Sequence, residues 1–347
     1  RSETFYFWVI VMKKATIKDV ARESGLSLGT VSKYLNGSRG VKQANQIKIK
    51  QAIANLRYSP DEYARGLITN KTKTIGLVIP EFNNLFYAQL ASELELAIGS
   101  EGYTVVVCES FYDTEREKKN LLWFASHRMS ALVVVPCGKN AENYDYLKSI
   151  DIPIIFLDQY IAGLNYEFVL VNNREVCETC IEYLLDNGHR DILMVVAPKG
   201  LYTSDERVNG YYDAYENRGL NVNEDLIMRV EENIDKAYYC IKKKLQETSC
   251  TALFAANFPN TFGSIFTINE LKISIPDDLS FVGFDDMMLT KLFRPKLTMI
   301  DQPIAEIAMF AKRRIFELML QKNFEYRITK LNCSFLVYDS VKDIRVK

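Results

Sequence analysis

The sequence is poor in the side chains that most often carry catalysis at neutral pH. Its 347 residues hold two histidines, His127 and His189. Neither stands with a paired nucleophile or at a metal-ligand spacing, and no glycine-rich phosphate loop follows the first apolar run of the body. The chain is therefore read as no enzyme, with no cofactor and no metal. Long apolar runs are missing too. FYFWVIVM, at residues 5–12, is eight residues long, far from the roughly 20 that span a bilayer, and it imitates a secretory signal poorly. Residues 1–11, ahead of MKKATIKDV, are read as extraneous or as a misplaced start and set aside. The seven cysteines are odd in number and scattered, which argues against a disulfide framework and for a reducing cytoplasm. Cys177 and Cys180 form a C-x-x-C without a preceding strand or a second pair. They read as buried helix cysteines, with a redox or zinc role as the lesser alternative.

What is present is an ordinary globular composition, 48% hydrophobic and 25% charged, in a chain long enough for two or three domains. Its net charge of −1 hides an asymmetry. Residues 12–73 carry thirteen Lys and Arg against four Asp and Glu, a net of +9, which leaves about −10 for the rest. A basic head on an acidic body is expected where only the head meets a polyanion. Charge alone leaves a solvated face on a small helical domain equally open.

The head is patterned as three short helices. Thr16 and Asp19 read as an N-cap and its N3 partner, and Ile17, Val20 and Ala21 then share a face. Gly25 ends that helix, Ser27 caps the next, and Leu28, Val31 and Leu35 form the second stripe before Asn36-Gly37. In NQIKIKQAIANLRY, Ile49, Ile53 and Leu56 close the core. Two short helices joined by a tight turn and backed by a third make a helix-turn-helix. The second helix then turns Leu28, Gly29, Thr30, Ser32 and Lys33 outward, all small or polar enough to enter a major groove.

From residue 73 onward, β-rich runs alternate with amphipathic stretches. The runs lie at 74–80, 103–110, 131–136, 152–158, 167–173, 191–197, 251–257, 279–285 and 296–301. Near-continuous Val, Ile and Leu separated by helices describe parallel strands buried on both faces. The body is too long for one such sheet and repeats its own plan, so two doubly wound α/β subdomains facing a cleft are predicted, with ligands beyond the carboxyl ends of the strands.

TIKDVARESGLSLGTVSKYLNG, VKQANQIKIKQAIANLRYSP and EYARGL, in that order and spacing, resemble the lac repressor and galactose repressor family of bacterial transcription regulators. PEFNNLFYAQL, ERVNGYYDAY, AANFPNTFG, IPDDLSFVGFDD and LTMIDQP extend the resemblance from Met12 to about Val341. It implies an all-α three-helix head at 12–58, a hinge helix and linker at 59–73, and a body at 74–347 similar to periplasmic sugar-binding proteins. The body's N-subdomain is placed at about 74–172 and 301–330 and its C-subdomain at about 173–300 and 331–345, with crossovers near Asn172, Ile300 and Leu331. The family works on palindromic double-stranded operator DNA as a homodimer, under a small-molecule effector of sugar type. That implies a cytoplasmic, nucleoid-associated regulator. No leucine heptads follow YDSVKDIRVK, so a dimer is expected rather than a tetramer. A sugar receptor without a DNA-regulatory role is the alternative, disfavoured by the basic head.

The resemblance makes Leu67 in ARGL the side chain that wedges between base pairs, and Arg65 a groove or backbone contact, against the plain alternative of a linker leucine. Gly66 weakens that short helix further. The implied DNA-facing set is Thr16, Lys18, Leu28, Gly29, Thr30, Ser32, Lys33, Arg39, Tyr58, Arg65 and Leu67, with Lys18, Arg22 and Arg39 on phosphates. For the effector, strand ends and matched motifs single out Asp158, Arg207, Asn257 and Asp285 as polar contacts and Phe86 as a ring to stack on a sugar face. Arg207 is the foremost, because its fork holds two oxygens; a salt bridge is its alternative, and a helix cap is that of Asp285. Where many relatives read Asn-Asp after the AA, this chain reads Asn257-Phe258-Pro259. An altered hydrogen-bond pattern and a more apolar, larger or differently oriented effector are therefore expected.

Overall fold

The computed structural model describes residues 15–35, 40–58, 72–285, 290–320 and 325–345. The chain divides into two compact units, residues 1–72 and 73–347.

In the first unit, α1 (Ile17–Ser24), α2 (Leu28–Leu35) and α3 (Gln43–Asn55) follow the predicted stops and starts. The N–H and the hydroxyl of Thr16 both donate to the Asp19 carboxylate, at 2.9 and 2.7 Å. Gly25 takes the left-handed conformation, φ 66°, that ends α1. Ser27 accepts the Thr30 N–H at 3.2 Å and so caps α2. Val20, Val31, Val41, Ile49 and Ala52 form the buried core, with Ile17, Ala21, Leu35, Ile53 and Leu56 packed around it. Leu28, also placed in the apolar stripe, is instead 43% exposed; a helix this short buries only the side chains aimed at its two neighbours.

The second unit is built on two six-stranded sheets of the same strand order. The first comprises β1 (Thr74–Ile79), β2 (Thr104–Glu109), β3 (Ala131–Val134), β4 (Ile154–Leu157), β5 (Glu167–Val171) and β11 (Ile328–Leu331). The second comprises β6 (Ile192–Val196), β7 (Ile227–Arg229), β8 (Ala252–Ala255), β9 (Ser280–Phe284), β10 (Thr298–Asp301) and β12 (Ser334–Leu336). The orders β2-β1-β3-β4-β5-β11 and β7-β6-β8-β9-β10-β12 correspond one for one, so β9 repeats the place of β4. Helices α4 (Leu85–Gly99), α5 (Thr114–Ser126) and α10 (Ile304–Leu320) cover the first sheet. Helices α6 (Asn173–Asp186), α7 (Tyr202–Asn217), α8 (Ile234–Glu247) and α9 (Phe258–Leu271) cover the second.

The chain changes sheet three times: between β5 and α6 at residue 172, between β10 and α10 at 302–303, and between β11 and β12 at 332–333. Asp301 pairs with Ser334 in the second sheet, and Leu331 with Val171 in the first. Asn172 ties the outer two changeovers together, donating its N–H to Leu331 O at 3.0 Å and accepting the Cys333 N–H at 2.7 Å. Among the described residues all pairings are parallel except β10 with β12. β12 follows β11 after two residues, too few for a returning crossover, so it enters the second sheet against the direction of its neighbours.

Two contacts fix the frame around the cleft. α7 crosses α6 at Gly210, where a Cβ would stand 2.2 Å from Arg174 O, so only glycine permits the approach. Arg314 of α10 clamps Glu167 of β5 through two bonds of 2.7 and 2.9 Å, and Glu167 also accepts the Arg327 N–H. His189 is structural: its Nε2 donates to Lys342 O, leaving Nδ1 to accept from the Thr251 hydroxyl. Cys177 and Cys180 are buried free thiols in α6, and burial pushes Cys177 up to about 12.

Candidate functional site

The head presents its reading face on α2. With Val31 wholly buried, Leu28, Gly29 and Lys33 are exposed and Thr30 and Ser32 half-buried. At Gly29 a Cβ would meet nothing nearer than Ser27 Oγ at 4.0 Å. No internal packing requires the glycine, so its lack of a side chain favours close approach from outside. Lys18 is exposed on α1. Thr16 is held in the cap by Asp19, and Tyr58 packs against the head core; both belong first to the scaffold. Arg39, Arg65 and Leu67 lie outside the described residues.

The body gathers its polar residues where strands of both sheets end. Asp158 follows β4 and Asp285 follows β9, the equivalent strand, and both backbones are left-handed, with φ of 68° and 69°. Non-glycine residues in that region store strain of order 1–3 kcal/mol, and such strain clusters at ligand sites. Arg207, on α7, is buried. Its Nε donates to Asn173 Oδ1 at 2.7 Å, its Nη1 to Ala256 O at 2.6 Å, and its guanidinium lies 3.8 Å from the Phe284 ring centre. Among the described residues Arg207 makes no salt bridge; neutral acceptors hold it while both aspartates feel its charge.

Burial sets the protonation of this cluster. Asp285 is pushed up to about 6 by desolvation, with Arg207 and the hydrogen bond from Gln302 Nε2, 2.7 Å away, opposing. Asp158 is raised by the same cause, against Arg207 and hydrogen bonds from Gln159 and Tyr87. Glu232, in the loop between β7 and α8, is pushed up to about 7 by desolvation and then by Asp158. Glu81, after β1, is raised by burial and by Glu109. Tyr87 and Tyr112 are raised by burial and by these acids.

Gln159 also reaches across the cleft. Its Nε2 donates to Thr203 Oγ1 at 2.8 Å and its Oε1 accepts the Thr203 N–H at 3.3 Å. Lys139 Nζ donates to Lys199 O at 3.2 Å from the same side.

Asn257 is the N-cap of α9, its Oδ1 accepting the Asn260 N–H at 3.0 Å, while its amide nitrogen has no hydrogen-bond partner among the described residues. Phe258 is 3% exposed and 4.8 Å from Phe262, within the cluster that also buries Phe86 and Ile304. The aromatic ring in AANFP therefore joins packing between the subdomains. Phe86 itself is 4% exposed and set edge-on to Tyr87. The helix cap kept open for Asp285 would engage residues 286–289, which lie outside the described residues. Sequence reasoning missed Glu232, Gln302, Gln159 and Tyr87. The two glutamines lie just past strand ends and were findable; Glu232 comes after a strand of three residues with no apolar run to mark it.

Among the described residues no helix is long and apolar enough to cross a membrane. Residues 16–61 match the family described as bacterial regulatory proteins, lacI family, and residues 181–338 the periplasmic binding protein-like domain. An HTH-type transcriptional repressor PurR of Histophilus somni is 30% identical over 333 residues, covering 95% of this chain and 100% of that protein. The crystal structure of the lac repressor dimer bound to operator and the anti-inducer ONPF aligns with a TM-score of 0.83 at 20% identity, over 95% of this chain and 100% of that one. The transcriptional regulator CelR–cellobiose complex aligns with a TM-score of 0.70 at 22% identity, over 94% and 100%.

Proposed function

The chain belongs to the lacI family of bacterial regulatory proteins, and from that premise we propose that it is a homodimeric repressor reading a twofold-symmetric operator under control of a sugar-class effector. It acts in the cytoplasm, at the nucleoid. Thr30 and Lys33 of α2 reach base edges or phosphates in the major groove, Leu28 and Gly29 permit the close approach, and Lys18 and Arg39 meet phosphates. Tyr58, Thr16 and Ser32 support that face. Arg65 and Leu67 belong to the hinge helix, whose leucine kinks the operator in the minor groove.

The effector lies between the two body sheets, held by Asp158, Arg207, Asn257 and Asp285, with Phe86 and Phe258 behind them. It acts through differential affinity for two subdomain arrangements, which differ in contacts such as Gln159–Thr203. The observation that carries the reading is the convergence of Asp158, Arg207 and Asp285 from equivalent strand ends and α7, in a chain whose head exposes a basic second helix.

Anisotropy titrations of palindromic and random duplexes at several salt concentrations test it. A preference of about a thousandfold or more is expected. Leu67→Ala should weaken specific binding and spare much of the salt-driven remainder. Equal loss of both counts against the wedge, and no preference for any twofold-symmetric duplex counts against the whole reading.

A further inference from the structure

One apolar side chain of α2 stands outside the head core formed by the described residues. Val31 is wholly buried and Tyr34 and Leu35 pack against that core, while Leu28 is 43% exposed. A single exposed leucine is ordinary on a protein surface, so its neighbours decide what this one does. Leu28 is the first residue of α2, at the end of a recognition helix that contacts base edges. Gly29 follows with no side chain, and a Cβ there would meet nothing nearer than Ser27 Oγ at 4.0 Å. The hydroxyl of Thr30 is paired with that of Ser27 at 2.9 Å, and the Thr30 N–H donates to the same Ser27 oxygen at 3.2 Å. Hydrogen-bond reading thereby falls to Lys33, exposed one turn further on, and to the capacity the Thr30 hydroxyl has left. The first turn presents bare backbone and a branched hydrocarbon.

The major groove offers hydrogen-bonding groups on every base pair but one kind of apolar group, the C5-methyl of thymine. Leucine discriminates among these edges in two ways. Against the methyl, it removes apolar surface from water on both sides of the contact. Against the polar edge of another base, it displaces water and returns no hydrogen bond, so that edge is desolvated at a cost. A phosphate gains nothing from it, because leucine has neither charge nor donor.

Resting on the operator reading under Proposed function, we propose that Leu28 reads sequence directly, its side chain lying on the C5-methyl of a thymine at one fixed position in each operator half-site. Gly29 sets the depth. With no side chain there to hold the backbone away from the groove floor, α2 comes close enough for Leu28 to reach the methyl. Loss of that methyl weakens binding about fourfold at one half-site, the effect of burying one such group, and about sixteenfold, the square, when both half-sites lose it. No charge changes, so the salt slope of binding stays where it was.

The test uses full-length protein and duplexes selected from a pool with a randomised, twofold-symmetric core. Each thymine of the selected half-site is replaced in turn by deoxyuridine, which removes the methyl and keeps every hydrogen-bonding group. Anisotropy titrations at fixed salt then compare the wild type with Leu28→Ala. The expected result is one position per half-site where uracil costs the wild type about fourfold and costs Leu28→Ala nothing. Leu28→Gln, of similar length, is the second variant, and reselection with it should no longer enrich thymine at that position. A wild type indifferent to uracil at every position overturns the inference without any variant. Selected half-sites without thymine do so too, as does a uracil penalty of equal size in Leu28→Ala or thymine still enriched by Leu28→Gln. Each of those outcomes leaves the operator reading standing, because the selection of a twofold-symmetric duplex is read separately. Failure to select any such duplex sinks both.

Discussion

Arg314→Ala isolates the energetics that hold the first subdomain together. The Glu167 side chain is 0% exposed and that of Arg314 10% exposed, so neither can turn to water without moving backbone. Two parallel bonds of 2.7 and 2.9 Å join them, and removing the guanidinium leaves Glu167 with the Arg327 N–H at 3.1 Å. One neutral donor does not compensate a buried carboxylate, so the substitution should cost about 3–5 kcal/mol. Glu317 also loses its bond to Arg314, but it is 39% exposed and water replaces that partner. The double change Glu167→Leu with Arg314→Met removes both charges. Most of the loss should return, short of about 1–3 kcal/mol for the stranded Arg327 N–H. Urea unfolding at neutral pH, comparing midpoints at constant slope, measures both. A cost below about 1 kcal/mol for Arg314→Ala, or a double variant less stable than the single, would refute the account of a solvent-excluded charge clamp.

Gly210→Ala forces a methyl against Arg174 O at 2.2 Å; about 1–3 kcal/mol or more should be lost in thermal melting, and effector response should weaken because α7 carries Arg207. His189 is lowered by burial, so the folded state resists its protonation. Stability should fall as pH drops below about 6.5, and a variant with Asn at 189 should show a flatter pH profile in the same melts. Asp19→Ala removes the acceptor for both donors of Thr16 and should lower head stability by about 0.5–2 kcal/mol, read by hydrogen exchange in α1. Lys33→Ala should reduce the salt slope of operator binding by about 1 if the side chain meets phosphate; an unchanged slope with altered base preference would move it to the base edge.

Much of the fold was legible because its signals are local. Thr16, Gly25 and Ser27 mark helix ends through bonds to residues three or four positions away, within reach of any pattern taken along the chain. The central strands announce themselves as unbroken Val, Ile and Leu runs because they are buried on both faces. β7, β11 and β12 did not, being three or four residues long, at sheet edges and partly exposed, where neither alternation nor an apolar run is imposed. Of the candidate site, Asp158, Arg207 and Asp285 were singled out from their places at strand ends and in matched motifs, and both aspartates feel the charge of Arg207. Asn257 was read as a ligand group when half of it belongs to a helix cap. The ring of Phe258 was read as a sign of an altered effector, and it packs with Phe262.

Helix and strand positions, the basic head and the repeated α/β plan were determined by the order of residues alone, since periodicity, capping and charge count are properties of neighbours along the chain. Which carboxyl groups act on one another was decided only by the tertiary structure. Glu232, Asp158, Asp285 and Glu81 come from four separate segments, and both the cost of burying a charge and the pull of another depend on distance through space.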